Sequence, residues 1–69
     1  MANNIKMYCL VDNQNSNPPI VSNDTQYSVI SREQTQNHEG ICIVDFTYAT
    51  NHDIAKNKLR SDHPKKNII

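Results

Sequence analysis

A single glycine, no tryptophan and one phenylalanine in 69 residues set the first limits on this chain. One glycine cannot supply a glycine-rich loop whose backbone amides close on a phosphate, so the familiar nucleotide-binding motifs are excluded. Large anchors are scarce: Phe46 and the tyrosines Tyr8, Tyr27 and Tyr48 must fill the interior. Apolar residues make up 36% of the chain, against roughly 45–50% in an average globular protein. The core is therefore expected to be thin, one sheet covered by one helix. A chain this short buries only about 60% of the surface that its unfolded form exposes.

Cysteine is sparse as well. Cys9 and Cys42 are too few for the disulfide framework that staples small secreted proteins, and reduced, buried thiols are expected. No run approaches 18 apolar residues, which argues against a membrane-spanning helix. Residues 1–13 lack the basic segment and small-residue cleavage site of a signal peptide. A cytoplasmic protein is expected.

Formal net charge is zero, but the charges are unevenly distributed. Residues 1–55 carry Lys6 and Arg32 against Asp12, Asp24, Glu33, Glu39, Asp45 and Asp53. From residue 56 onward the balance reverses, with Lys56, Lys58, Arg60, Lys65 and Lys66 against Asp62 alone. An acidic body with a basic C-terminal end is the result.

Residues 5–11 alternate, with Ile5, Met7, Cys9 and Val11 on one side, and read as a strand. Residues 12–26, DNQNSNPPIVSNDTQ, are rich in turn formers and read as a long loop with a brief extended piece at 20–22. Residues 27–32 alternate again and give a second strand. The polar segment 33–39 and Gly40 turn the chain back into a third strand over 41–48, making a hairpin. In that third strand Cys42, Val44, Phe46 and Tyr48 form a uniformly apolar face, expected to be core, and the segment reads as the central strand. Beyond Ala49, the spacing of Ile54, Ala55 and Leu59 predicts a helix with Thr50 as N-cap and Asp53 at its positive end, stopped by Pro64. Residues 65–69 could return as a short strand parallel to the third, with the helix as crossover. The expected fold is α+β: a small, single-layer, mainly antiparallel sheet of three to four strands packed against one C-terminal helix, in the order β-β-β-α-β, forming one domain over residues 1–69.

The stretch NHEGICIVDFTYATNHD, residues 37–53, places Cys42 between His38 and His52 with Asp45 and Asp53 close by. A nucleophilic cysteine needs an imidazole within hydrogen-bond reach. An extended chain rising about 3.3 Å per residue puts His52 more than ~20 Å from Cys42 and His38 roughly 13 Å away. Local geometry thus delivers neither histidine. Structural zinc takes closely spaced ligand pairs, whereas Cys9 and Cys42 stand alone and His52 and His63 bracket the helix. Glu33, Glu39, Asp45 and Asp53 could supply a carboxylate pair for acid and base chemistry, but Asp45 alone falls inside an expected strand, where it marks the point at which that face meets solvent. The chain is expected to be no enzyme and to hold no cofactor or metal.

What remains is surface. The leading expectation is a non-enzymatic protein-interaction module that binds stoichiometrically, with the loop from Asp12 to Gln26 (Asp12 and Asp24 in it), a free sheet edge and the cations Lys56, Lys58, Arg60, Lys65 and Lys66 as contact candidates. Small size and a bias toward Asn, Lys and Ile are shared with the proteins that phages and mobile elements use to inhibit host complexes, anti-CRISPR and antitoxin types included. The alternative is a nucleic-acid-binding accessory protein using the basic C-terminal helix and tail, although no aromatic residue is interleaved there for base stacking. A homodimer is the further partner expectation, because a lightly covered apolar sheet face can be completed by a second copy.

Overall fold

Residues 8–11, Tyr-Cys-Leu-Val, are apolar on both sides of an extended chain, and a strand of that kind belongs in the middle of a sheet. The computed structural model, which describes residues 4–17 and 26–69, places them there. Strand β1 (Lys6–Asp12) lies between β2 (Tyr27–Ser31) and β3 (Ile43–Ala49) and is antiparallel to both. Helices α1 (Arg32–Thr35) and α2 (His52–Asp62) complete the α+β fold. The order β-β-β-α is the one expected.

The register decides which residues meet α2. Tyr8 pairs with Thr47 and Leu10 with Asp45 and Val29. Tyr8, Leu10, Val29 and Ala49 form the core with Ala55, Leu59 and Ile68. Side chains alternate along a strand, so Asp45 and Thr47 share the α2 face, and Phe46 and Tyr48, opposite Cys9 and Met7, lie on the other. That other face is only partly covered. Cys9 and Val11 are fully buried there, and α1 rests against β1 and β2, with Arg32 near enough to act electrostatically on Cys9.

Several sequence expectations are corrected. The second and third strands form no hairpin, because residues 32–42 must carry the chain from one side of β1 to the other. Part of that segment, expected to be a polar turn, is α1: Ser31 Oγ accepts from Gln34 N–H, and the Gln34 side chain accepts from Ser31 N–H, a reciprocal capping box that starts a helical turn. The 41–48 stretch is an edge strand rather than the central one, and its apolar even face is exposed, since β1 registers its odd residues toward α2. Cys42 precedes β3 and is half-buried.

The N-cap of α2 is Asn51, whose Oδ1 accepts from Ile54 N–H at 2.9 Å, not Thr50. No fourth strand forms among the described residues. The C-terminal segment instead makes a single parallel bridge between Ile68 and Tyr27, on β2 rather than β3. Arg60 anchors that segment by donating from Nε and Nη2 to the Ile68 carbonyl at 3.3 and 3.0 Å. The brief extended piece expected at 20–22 lies outside the described residues.

Candidate functional site

A three-stranded open sheet has two edges, and each exposes a row of unpaired backbone groups. This chain treats its two edges differently. Along β2 the outward groups are closed by the chain itself. Tyr27 N–H donates to the Asn67 carbonyl at 2.8 Å, and the Tyr27 carbonyl accepts from Ile69 N–H at 2.9 Å. The next outward carbonyl, Val29, accepts from His52 Nε2 at 2.5 Å. His52 is held in place by an edge-on contact with the Tyr8 ring, centroids 5.9 Å apart.

Among the described residues, the outer edge of β3 has only side chains across it. Backbone groups point alternately toward the neighbouring strand and away from it. Asp12 N–H reaches across to the Cys42 carbonyl at 2.8 Å, so the even residues of β1 address β3. Their partners Asp45, Thr47 and Ala49 then point inward, leaving Phe46 and Tyr48 with outward N–H and C=O groups. Phe46 N–H is taken by Asp45 Oδ1 at 2.7 Å, and the Tyr48 carbonyl by Lys58 Nζ at 2.8 Å. Asp45 Oδ2 also accepts from His63 Nε2 at 2.6 Å. The His63 hydrogen bond, with help from Phe46 N–H, holds the Asp45 carboxyl below the usual carboxylate range.

The same strand carries the largest exposed apolar side chains of the described residues. Phe46 is 50% and Tyr48 54% exposed, their rings edge to face with centroids 6.0 Å apart, and Ile43 and Val44 are also exposed. The ladder slips between Leu10 and Val11, where β1 pairs with Asp45 and then with Ile43, leaving Val44 as the extra residue of a bulge. Ile5, just before β1, is exposed as well.

The residues singled out from the sequence are scattered by the fold. Asp12 is buried and closes its own turn, accepting from Gln14 N–H at 3.1 Å, Asn15 N–H at 3.4 Å and Asn15 Nδ2 at 2.6 Å. Asp24 lies outside the described residues. Lys58 is on the β3 flank of α2, while Arg60 turns to the opposite flank to hold Ile68, and Lys56, four residues before Arg60, follows it there. Lys66 lies 4.7 Å above the Tyr27 ring, and Lys65 is exposed. The basic residues therefore form no single patch.

Cys9 is buried, and burial pushes its thiol up, partly opposed by the Arg32 charge. Among the described residues no cluster of three or more His, Cys, Asp or Glu side chains is arranged to hold a metal ion, and no pocket is present. The pairing of Asp45 with His63 was not legible beforehand: 18 residues separate them, and only the return of α2 along β3 brings them together. No protein-family model, curated protein or solved structure matches this chain.

Proposed function

We propose that this chain is a non-enzymatic protein-interaction module of the cytoplasm, acting by stoichiometric binding through the β3 edge. The observation that supports the reading is the coincidence, on one strand, of exposed Ile43, Val44, Phe46 and Tyr48 with outward backbone groups that, among the described residues, are closed by the side chains of Asp45 and Lys58. Aromatic side chains are enriched where proteins meet, and an extended edge offers main-chain hydrogen bonds to an added strand. In its narrower form the module is an inhibitor of a host complex encoded by a phage or mobile element, which the size and composition of the chain favour.

Binding of nucleic acid is the second reading. It is favoured by the excess of Lys and Arg after residue 55, but Lys58 and Arg60 lie on different flanks of α2 and Lys66 is turned onto the Tyr27 ring, an arrangement that gives no continuous track for a phosphate backbone. A photo-crosslinking amino acid placed at position 48, with position 65 as control, distinguishes the two in expressing cells. Protein adducts specific to position 48 are expected. Equal yields at both positions, or adducts to nucleic acid at 65 alone, overturn the protein-binding reading.

A further inference from the structure

Resting on the reading of β3 as the contact surface, we propose that the occupant of this edge is a second copy of the chain, paired β3 to β3 antiparallel about a twofold axis through Thr47. In that register Phe46 lies opposite the partner's Tyr48, and Tyr48 opposite the partner's Phe46. Both residues carry outward backbone groups, so each pair exchanges two N–H···O=C bonds, and Thr47 faces its own copy as the non-hydrogen-bonded pair between them.

The side chains that now close the edge are complementary in this arrangement. Phe46 N–H is held by Asp45, and the Tyr48 carbonyl is held by Lys58. When Phe46 meets the partner's Tyr48, the amide leaves the carboxylate and takes the partner's carbonyl. The partner's Lys58, released from that same carbonyl, arrives beside the released Asp45. Both groups lie on the α2 face of the sheet, Asp45 through its bond to His63 and Lys58 through its place on α2. A neutral exchange of hydrogen bonds thus yields a cation and an anion in contact across the interface, twice by symmetry. The sites that protect the monomer's edge are the sites that recognise a second one.

The apolar surface fits the same geometry. Each Phe46 ring comes beside the partner's Tyr48 on the face away from α2, extending the edge-to-face pair already present within one chain. An axis normal to the sheet puts both α2 helices on one face. Ile54 is exposed and lies one helical turn before Lys58, on the flank overlooking β3, where the second helix would cover it. The product is one sheet of six strands, three from each copy. Because the C-terminal segment and His52 close the β2 edges, the assembly stops at two instead of growing into a filament.

The intact chain tests this in two measurements. Light scattering across a concentration series is expected to show a mass of twice 7.9 kDa, and Phe46→Asp, at an exposed position, to remain at the single-chain mass with an unchanged circular dichroism spectrum. The register is read from Thr47→Cys. A non-hydrogen-bonded antiparallel pair holds its Cα atoms about 4.5 Å apart, within disulfide range. Oxidised glutathione should therefore give Thr47→Cys disulfide-linked dimers well above the background set by Cys9 and Cys42 in the wild-type chain and above Thr50→Cys. A single-chain mass up to millimolar concentration, or dimers equally abundant from Thr47→Cys and Thr50→Cys, overturns the proposal. If position 48 still crosslinks specifically to other proteins in that case, the interaction reading survives with a different occupant; if it crosslinks to none, both fall.

Discussion

At the scale of single residues, Asp45, Gly40 and Cys9 show how position sets chemistry. Asp45 keeps its charge through the bond to His63 and the Phe46 amide. A carboxyl depressed in the folded state stabilises the protein above the unfolded value of about 3.9, and that contribution is lost as pH falls through the lower folded value. Asp45→Asn should therefore lower the urea midpoint at neutral pH, with the gap to wild type closing as pH drops below about 4. A gap that persists at pH 2 would assign the effect to packing.

Gly40 sits where the connection from β2 touches the loop after β1. A Cβ there would stand 1.8 Å from the Asn17 carbonyl oxygen, a backbone atom that cannot swing aside. Gly40→Ala is expected to break the 2.8 Å bond from Asn17 N–H to the Gly40 carbonyl, seen as faster amide exchange at residue 17. Cys9, buried and kept protonated, should resist iodoacetamide until the chain unfolds, while half-buried Cys42 reacts sooner. Mass spectrometry of the alkylated peptides reads the order directly, and early labelling of Cys9 would contradict its burial.

Elements depend on a few polar contacts at their ends. Helix α2 has two buried residues, Ala55 and Leu59, so its start matters more than in a helix with a wide apolar face. Asn51→Ala removes the acceptor for Ile54 N–H and should cost about 1 kcal/mol, measurable by chemical denaturation. Asn51→Asp, which keeps the acceptor and adds charge at the positive end of the helix, should cost little or nothing. The capping signal lay in the sequence, but Thr50 and Asn51 are both competent caps, and the choice between them depends on where β3 releases the chain. The segment before β3 shows the same limit: Ser31 and Gln34 have capping-box spacing, which the absence of apolar residues in 33–39 concealed.

For the whole molecule, stability rests on a small interior between the sheet and α2. Leu10 and Leu59 are its largest fully buried apolar side chains. Truncating a buried leucine to alanine costs roughly 2–5 kcal/mol, and domains hold only about 0.05–0.15 kcal/mol per residue in total. Leu59→Ala is therefore expected to remove a large share of the stability, seen as a urea midpoint by circular dichroism far below that of wild type. Retention of a cooperative transition near that of wild type would mean that the core extends beyond the packing of α2 on the sheet, into the face beneath α1.

Composition and local pattern by themselves determined the thin core, the α+β class, the positions of three strands and a C-terminal helix, and the lack of a glycine-rich phosphate loop. These follow from residue type and short-range periodicity, which a sequence displays directly. Which strand is central, and which face of β3 meets α2, was decided only by tertiary structure. A period of two marks the apolar face of a strand without saying what covers it. Register with β1 turns Asp45 and Thr47 toward α2 and leaves Phe46 and Tyr48 in the open, because the β1 residues with the strongest claim on the core, Tyr8 and Leu10, fix the pairing for both of their neighbours.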